Sequence, residues 1–282
     1  MSELSVSAVS AGELEAMIGE IVVLRSSTFD IPMGSVTAII GPNGSGKSTL
    51  LNLVSGLLAP SGGQLGVLGT SPALARVRLA YVLQSIQVNE TLPVSVREVV
   101  TMGRYPASGL TGRLRPVDRA AVDGAIHRLG LNELARRSLH ELSGGQRQRV
   151  FVAQGLAQEH EMLLLDEPLT GLDLVSSSAI ESVITEERAA GRTVLFTTHD
   201  LSRALASDWA LLLAGRVVAA GPPAVVLNAD NLALAYGLKV VQAPDGRFMV
   251  DDPAHAPVSA RHSHLDRSIH IEPPGAGLHR GD

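Results

Sequence analysis

A glycine-rich segment at residues 41–48 carries the residue types that bind phosphate. It reads Gly-Pro-Asn-Gly-Ser-Gly-Lys-Ser, follows the β-branched run 36–40 and precedes a predicted helix at 49–55. That is the context which the phosphate-binding loop pattern requires. Its glycines allow several backbone N–H groups to face one anion, and the helix adds its positive end. The alternative is a glycine-rich turn with an incidental lysine.

The pattern predicts a bound nucleoside triphosphate with Mg²⁺. Lys47 is placed to neutralise the β- and γ-phosphates, and the Ser48 hydroxyl is placed to bind Mg²⁺. The candidate nucleotide-binding residues of this segment are Gly41, Pro42, Asn43, Gly44, Ser45, Gly46, Lys47, Ser48 and Thr49.

Two acids, Asp166 and Glu167, end the apolar run 162–165. A continuous apolar run suits a central strand of a parallel sheet, and such sheets bind ligands at the carboxyl ends of their strands. The pair is therefore predicted to lie beside the phosphate-binding loop. Asp166 would support Mg²⁺, and Glu167 would be the base that aligns the attacking water, which is worth roughly 10²–10⁴-fold in rate. The alternative is a strand that ends in a solvated turn.

A third segment, at residues 142–146, reads Leu-Ser-Gly-Gly-Gln. Ser143 is a favourable N-cap, and the residues after it are suited to a helix. A serine hydroxyl, a glycine backbone and a helix N-terminus together make a second anion site. Its candidate residues are Ser143, Gly144, Gly145 and Gln146. The alternative is a capped helix that begins here without binding a ligand.

In this order and spacing, the three segments resemble those of the nucleotide-binding domain of ABC ATPases, and the resemblance covers residues 4–240. It implies that ATP and Mg²⁺ are bound, and that the serine-glycine segment of one chain reaches the γ-phosphate held by a second copy. Two ATP molecules would then lie between two copies arranged head to tail. Binding closes this dimer, and hydrolysis allows it to reopen.

The resemblance also implies roles for three further residues. Gln84 resembles the glutamine that contacts Mg²⁺ and water and responds to a membrane partner. Asp173 lies in a segment that resembles the loop crossing the dimer interface, and His199 resembles the histidine that contacts the γ-phosphate. The implied catalytic residues are Glu167, His199 and Gln84, and the implied Mg²⁺ ligands are Ser48, Gln84 and Asp166.

One position departs from the resemblance. Where an aromatic residue normally stacks on adenine, this sequence has Ile18, directly before Gly19. Isoleucine packs against a base without a π-face contact. We therefore expect weaker base stacking, with a looser affinity for ATP or poorer discrimination between ATP and GTP.

The rest of the sequence predicts the elements that hold these segments. Residues 1–84 have the pattern of short strands and turns, and residues 86–150 have apolar residues at helical spacing. From residue 161 onward strands and helices alternate, as in a parallel sheet covered by helices. With the resemblance, the fold class is α/β: a P-loop ATPase core with a parallel sheet flanked by helices, an N-terminal antiparallel β subdomain and an inserted α-helical subdomain.

Several elements are specific enough to be checked. Strands are predicted at 162–165 and 193–198, and helices near 176–190 and at 201–206. The helical spacing before residue 150 is carried by Ala120, Ala121, Gly124, Ala125 and Leu129. A nucleotide-binding domain is expected over residues 1–240, followed by a loosely ordered tail over residues 241–282.

Composition restricts the class of protein and its partners. The chain has 282 residues, of which 45% are hydrophobic and 18% charged, as expected of a globular protein. Its net charge of −5 gives no reason to expect nucleic acid as a partner. The sequence has no cysteine, which excludes disulfides and thiolate metal sites. The first residues lack a signal-peptide pattern, and the longest apolar stretch, Trp209 to Ala220, contains Arg216 and is too short for a membrane span.

A membrane role must therefore involve a partner protein. The resemblance implies a transmembrane permease subunit that docks on the helical region at the cytoplasmic face of the membrane, with a solute-binding protein acting through it. The apolar segment Leu92 to Val96 is the predicted docking patch. The alternative is a soluble ABC ATPase that acts on DNA or ribosomes. Leu142 follows Lys47 by only 95 positions, too few for a coiled-coil insertion, and the chain has one cassette, which disfavours that alternative.

Two segments and the tail bear on the transported solute. Residues 96–106 resemble the corresponding part of importers for metal ions and metal chelates, and residues 109–119 look most like the zinc and manganese group. The alternatives are a ferric-siderophore, haem or cobalamin importer, or a basic surface that any permease uses. Because imidazoles bind zinc, a zinc-sensing or zinc-buffering tail is a further hypothesis, with a bland polar tail as its alternative. The tail histidines are His255, His262, His264, His270 and His279.

Overall fold

A computed structural model of the chain describes residues 7–84, 94–108, 113–237, 239–242 and 248–251. Its strands are β1 (Ser7–Ile18), β2 (Ile21–Pro32), β3 (Val36–Ile40), β4 (Gly62–Val67), β5 (Leu79–Val82), β6 (Met162–Leu165), β7 (Thr193–Thr198), β8 (Trp209–Leu213), β9 (Val217–Gly221), β10 (Lys239–Gln242) and β11 (Phe248–Asp251). Its helices are α1 (Lys47–Val54), α2 (Pro72–Ala75), α3 (Val96–Met102), α4 (Tyr105–Ser108), α5 (Pro116–Arg128), α6 (Gly144–Ala157), α7 (Leu174–Ala189), α8 (Leu201–Leu205), α9 (Pro223–Val226) and α10 (Ala229–Tyr236).

The central sheet has six strands in the order β5-β6-β7-β3-β8-β9. Neighbouring strands are parallel except β8 and β9, which are antiparallel. Every residue of β3, β6 and β7 is buried, as expected of apolar strands that are covered on both faces. The predicted α/β class with a parallel sheet is confirmed.

Alternate residues of β3 enter two different hydrophobic cores. Ala38 and Ile40 belong to the core that includes residues of α5, α6 and α7. Ile39 belongs to the core that includes α1 and the N-terminal strands. Because side chains alternate across a strand, these two cores lie on opposite faces of the central sheet.

A second sheet, in the order β2-β1-β4, is antiparallel. It confirms the predicted N-terminal antiparallel β subdomain. At its tip Ile18 pairs with Ile21, and Gly19 makes the turn with a φ of 60°, which glycine adopts at little cost. Ile18 is 54% exposed, so the position predicted to face adenine lies at an open apolar hairpin tip.

Helices α3 to α6 form the helical region that was predicted after Gln84, and only part of the set predicted at helical spacing is buried. Ala120 and Gly124 are exposed, whereas Val122 and Ile126 are buried along with Ala125. Of the residues predicted at helical spacing, Ala125 and Leu129 lie in the core, so the helical period was right, while Ala120 and Gly124 lie on the solvent face. None of the helices in the described ranges has the length and apolar character needed to cross a membrane.

The docking patch predicted at residues 92–96 is wrong for the part that the structure describes. Val96 begins α3 and is fully buried, and Val94 packs against the same core. Ser95 caps α3 by accepting a hydrogen bond from the Glu98 amide at 3.3 Å. Leu92 and Pro93 lie outside the described residues.

The C-terminal segment departs from the predicted tail in one respect. β10 and β11 pair antiparallel, with Lys239 opposite Asp251, so regular structure extends beyond residue 240. The five tail histidines lie outside the described residues, and the zinc-binding tail stays a prediction.

A buried carboxylate connects the helical region to the core. Glu187, in α7, is fully buried and accepts hydrogen bonds from His160 at 2.9 Å, Arg192 at 2.8 Å and Arg128 at 2.8 Å. Arg128 ends α5 and His160 lies two residues before β6, so the Glu187 side chain links α7 to both. Burial raises the pKa of Glu187, but the hydrogen bonds from His160, Arg192 and Arg128 outweigh it and lower the pKa from 4.5 to about 2.

We expect Glu187→Gln to lower the free energy of unfolding at pH 7 by on the order of 3 kcal/mol, because it leaves buried donors without their carboxylate. Since the folded-state pKa is the lower one, this contribution is present above about pH 4.5 and is lost as the pH falls through about 2. Urea denaturation at several pH values measures it. Glu186→Gln is the matched control, because Glu186 bonds the same Arg128 at 2.6 Å from an exposed position; equal stability of the two variants at pH 7 contradicts the expectation.

Candidate nucleotide-binding site

The phosphate-binding loop connects β3 to α1. Helix α1 begins at Lys47, two residues before the predicted helix start, so its first turn carries the lysine itself. Gly44 and Gly46 have φ angles of 76° and 101°, a region that residues with side chains rarely adopt. A Cβ on Gly46 would also lie 3.2 Å from the Val23 carbonyl oxygen. The glycines therefore allow a tight turn packed against β2.

Lys47 is buried within this loop. Its Nζ donates hydrogen bonds to the carbonyl oxygens of Gly41 at 2.8 Å and Pro42 at 3.0 Å. These bonds use two of its three N–H donors, and the remaining one can bond a phosphate oxygen. Burial lowers the pKa of Lys47, while the carboxylates of Glu167 and Asp166 act in the opposite direction.

A cavity of about 400 Å³ opens at the loop. It is lined by Val23, residues 43–49, Gln84 and Glu167. Gly41 and Pro42 do not line it, but their carbonyl oxygens hold Lys47 in place. The structure thus brings together the loop, the end of β5 and the end of β6, as expected for the carboxyl edge of a parallel sheet.

The two acids follow β6 directly. Asp166 is buried, and its Oδ1 accepts a hydrogen bond from the Thr197 hydroxyl at 2.6 Å. Glu167 has a φ of 45°, which is uncommon for a residue with a side chain. Its Oε2 accepts a hydrogen bond from Gln84 Nε2 at 2.8 Å. The Glu167 carboxylate therefore forms part of the cavity wall, where it can accept a proton from a water molecule.

The oxygen atoms at the cavity suit a hard divalent cation. Ser48 offers a hydroxyl and Gln84 its amide oxygen, since the amide nitrogen is the atom bonded to Glu167. Asp166 does not line the cavity, but its buried carboxylate belongs to the residue directly before Glu167. Mg²⁺ prefers oxygen ligands of these kinds. Within the described residues Ser45 Oγ is buried without a hydrogen-bond partner, and a bound phosphate could satisfy it. The donor set fits a magnesium-nucleotide.

The serine-glycine segment forms the N-terminus of α6. Ser143 Oγ accepts a hydrogen bond from the Gln146 amide at 3.2 Å, and Gln146 Oε1 accepts one from the Ser143 amide at 3.0 Å. This reciprocal capping box fixes the start of the helix. None of the residues 143–146 lines the cavity, so within one chain they lie apart from the phosphate-binding loop.

Gly145 packs directly against the start of α7. A Cβ at this position would lie 2.5 Å from Asp173 Oδ2 and 2.6 Å from Ser176 Oγ. Asp173 caps α7, accepting hydrogen bonds from the Ser176 amide at 2.8 Å and the Ser176 hydroxyl at 2.9 Å. The serine-glycine segment and Asp173 therefore form one rigid unit outside the cavity.

His199 lies one residue beyond β7 and is exposed. It does not line the cavity. Its neighbour Asp200 caps α8 by accepting hydrogen bonds from the amides of Ser202 and Arg203. Within the single chain, His199 therefore lies outside the cavity.

Comparison with known proteins decides the family. The sequence model of the ABC transporter family matches residues 24–170, which include the phosphate-binding loop, the serine-glycine segment and both acids. The chain belongs to the ABC transporter ATPase family. Members of this family bind and hydrolyse ATP, and the expected ATPase class is thereby confirmed.

Three curated relatives cover most of this ABC ATPase. It is 38% identical over 216 residues to the manganese transport system ATP-binding protein MntB of Bacillus subtilis, covering 76% of this chain and 86% of that protein. The chain is 37% identical over 243 residues to the zinc transport system ATP-binding protein TroB of Treponema pallidum. The match covers 85% of this chain and 91% of that protein. The chain is 37% identical over 255 residues to the ferric enterobactin transport ATP-binding protein FepC of Escherichia coli K12. The match covers 88% of this chain and 92% of that protein.

Two solved structures share the fold of this ABC ATPase. One is a chain of an ABC transporter described as of the metal-chelate type, in an inward-facing conformation, with a TM-score of 0.75 and 28% identity, covering 88% of this chain and 99% of that one. The other is a dimeric bacterial ABC transporter cassette with a TM-score of 0.66 and 25% identity. The match covers 76% of this chain and 98% of that one.

Sequence reasoning missed three residues that the structure places at the site. Val23 lines the cavity, Thr197 bonds both acids, and Ser176 packs on Gly145. No sequence signal marks Val23 or Ser176. Thr197 could have been found as one of the threonines in the predicted buried strand before His199, because a buried hydroxyl needs a partner.

Proposed function

We propose that this ABC ATPase is the ATP-hydrolysing subunit of an importer for a metal ion, zinc or manganese. The observation that carries the proposal is the agreement between relatives named for manganese and zinc transport and a cavity lined by residues 43–49 of the phosphate-binding loop. A ferric-siderophore importer is the second candidate, because the ferric enterobactin relative matches the largest share of this chain among the three, 88%.

Hydrolysis would use the groups at the cavity wall. Lys47 and the loop amides bind the phosphates, Glu167 accepts a proton from the attacking water, and Gln84 orients Glu167 through its 2.8 Å hydrogen bond. When bound, Mg²⁺ would be held by Ser48, Gln84 and Asp166 and would neutralise phosphate charge. His199 would contact the γ-phosphate once the site is closed by a second copy.

The second copy supplies the segment that one chain keeps outside its own cavity. Ser143, Gly144, Gly145 and Gln146 point to a head-to-tail dimer, with Asp173 at the interface. Leu174, which follows Asp173, is 88% exposed, as expected of an apolar residue that a partner covers. ATP would bind the closed dimer preferentially and so shift the population towards it.

Solute uptake by a deletion strain tests the proposed substrate. We expect loss of the gene to slow growth under zinc or manganese limitation, with rescue by the wild-type gene and no rescue by a Glu167→Gln allele. A defect that appears only with ferric siderophores as the iron source would favour the second candidate. Normal uptake of all three would refute an importer role.

We further propose where the permease docks, in place of the patch at residues 92–96. Two adjoining cavities of about 370 and 400 Å³ share Val77, Pro106 and Gln158 and form one groove. Its apolar wall includes Leu57 and Val77, which are 51% and 69% exposed. Leu83 also lines the groove and directly precedes Gln84, so a segment bound there would contact the residue next to the glutamine at the nucleotide cavity. The ATPase would then lie at the cytoplasmic face of the membrane, with a solute-binding protein acting through the permease.

Val77→Asp tests this docking groove. We expect it to abolish copurification with the permease and the transport it drives, because a charge replaces apolar contact area, while ATP binding by the isolated subunit stays unchanged. Val225→Asp is the control, since Val225 is 65% exposed on α9, away from the groove. Copurification of the Val77→Asp subunit at the wild-type level would contradict the proposed surface.

The position predicted to face adenine, Ile18, gives a further expectation. Ile18→Tyr should tighten ATP binding by roughly 2- to 10-fold, because an aromatic contact adds about 0.5–1.5 kcal/mol beyond area burial. Competition with a fluorescent nucleotide measures the dissociation constants of ATP and GTP for both proteins. Met17→Tyr is the matched control one residue earlier in the same exposed hairpin tip. No gain for Ile18→Tyr would show that adenine does not reach this position.

A further inference from the structure

Thr197 has a buried hydroxyl that joins the two acids at the end of β6. It lies near the end of β7 and is 1% exposed. Its hydroxyl donates a hydrogen bond to Asp166 Oδ1 at 2.6 Å. The same oxygen accepts a hydrogen bond from the Glu167 amide at 2.7 Å. One side chain therefore contacts a candidate Mg²⁺ ligand and the backbone of the candidate base.

The direction of both hydrogen bonds is fixed by chemistry. An amide N–H can only donate, so the hydroxyl oxygen of Thr197 must accept from Glu167. The hydroxyl has one proton, and an ionised carboxylate can only accept, so that proton goes to Asp166. The link is therefore held in a single arrangement.

The hydrogen bond from the Glu167 amide to the Thr197 hydroxyl takes the place of backbone pairing between β6 and β7 just beyond the end of β6. The last paired residues of β6 and β7 are Leu165 and Phe196. Beyond them Glu167 takes a left-handed φ of 45°, and its amide donates to a side chain instead of a strand carbonyl. In that backbone conformation the Glu167 carboxylate lies at the cavity wall beside Gln84.

We propose that Thr197 is a positioning residue for ATP hydrolysis. By bonding the Glu167 amide, it holds the uncommon backbone conformation that directs the base into the cavity. By donating to Asp166 Oδ1, it fixes the orientation of the carboxylate that would support the cation. The inference rests on the proposed roles of Glu167 and Asp166 and adds to them the residue that holds both.

Thr197→Val removes the hydroxyl and keeps the shape of the side chain. We expect kcat to fall on the order of 10- to 100-fold, because a small displacement of a catalytic group has effects of this size. The dissociation constant for ATP measured in EDTA should stay at the wild-type value, since the phosphate-binding loop is untouched. Thr197→Ser, which restores the hydroxyl, should recover most of the lost kcat. Thr197→Ala is the second variant if the valine protein is too unstable to purify.

A structural readout separates positioning from simple destabilisation. Hydrogen exchange of the Glu167 amide should be faster in Thr197→Val without nucleotide, because its acceptor is gone. Thr193→Val is the matched control: Thr193 is fully buried at the start of the same strand, and its hydroxyl accepts from the Gly34 amide at 2.9 Å. It should lose comparable stability and keep its kcat.

A double-mutant cycle completes the test. If Thr197 acts through Glu167, then Thr197→Val should lower kcat little further in a Glu167→Gln background. Wild-type kcat in Thr197→Val, equal losses in Thr193→Val and Thr197→Val, or no recovery in Thr197→Ser would each overturn the inference. Absence of ATP hydrolysis by the wild-type protein would instead overturn the proposed function, so the two failures are distinct.

Discussion

Glu167→Gln is expected to bind ATP with wild-type affinity and to hydrolyse it roughly 10²–10⁴-fold more slowly. The amide keeps the size of the side chain and can still bond Gln84, which now reaches Glu167 Oε2 at 2.8 Å. It cannot accept the proton that the attacking water must lose. The change should therefore act on the chemical step and leave ground-state binding intact.

A trapped dimer is the second part of this expectation. If ATP bridges two copies and hydrolysis releases them, blocking hydrolysis should leave a dimer on size exclusion in the presence of MgATP. Glu133→Gln is the control, because Glu133 is exposed and lies in the helical region away from the cavity. A monomer with wild-type turnover for Glu167→Gln would refute the assignment of the base.

The elements that position the site were predictable because they depend on local patterns. The runs 36–40 and 193–198 are short and rich in apolar and β-branched residues, and both are buried strands of the parallel sheet. The loop at 41–48 follows from glycine chemistry and from the strand and helix on either side. Boundaries were less certain, since α1 begins at Lys47 rather than Thr49.

What the sequence could not give is contact between distant segments. Gly145 and Asp173 are 28 positions apart, and nothing in either segment predicts that the glycine packs on the carboxylate. The burial of Val96 was missed for a related reason. An apolar residue after Pro93 reads as exposed until the helix that covers it is known, and its partners in the core lie on α5 and α6.

The direction of a helix face also requires tertiary structure. The period of α5 was correct, yet the exposed Ala120 and the buried Val122 are both apolar. A small residue gains little from burial, so its spacing carries little information about which side faces the core. The larger apolar residues of the same helix, Val122 and Ile126, indicate better which side of the helix is buried.

Lys47→Ala is expected to abolish ATP-dependent dimerisation and to weaken ATP binding by roughly 10- to 100-fold, since it removes a charged hydrogen bond to phosphate. Of the described residues that line the cavity, Lys47 alone carries a positive charge, whereas Glu167 is negative. Without the ammonium, the acids at the end of β6 would repel the triphosphate. Calorimetry measures ATP binding by Lys47→Ala. Size exclusion of Glu167→Gln with and without the Lys47→Ala change measures dimerisation.

The loop itself must be shown to survive this change. Lys47 also bonds the Gly41 and Pro42 carbonyl oxygens, so the melting temperature without nucleotide separates loss of the phosphate contact from loss of the fold. Lys47→Arg is not a conservative control, because a planar guanidinium does not fit a site built for a point charge. Lys239→Ala is the suitable control, and it should bind ATP as the wild type does.

The scarcity of lysine permits a direct chemical version of the same experiment. The sequence has two lysines, Lys47 and Lys239, so an amine-reactive reagent followed by mass spectrometry reports each one separately. Burial lowers the pKa of Lys47, which increases the fraction of neutral amine that can react as the pH rises. MgATP should protect Lys47 because the ammonium then bonds phosphate, and it should leave the labelling of Lys239 unchanged. Equal labelling of Lys47 with and without nucleotide would mean that the loop does not hold the triphosphate, and the roles inferred for Glu167, Gln84 and Thr197 would lose their basis.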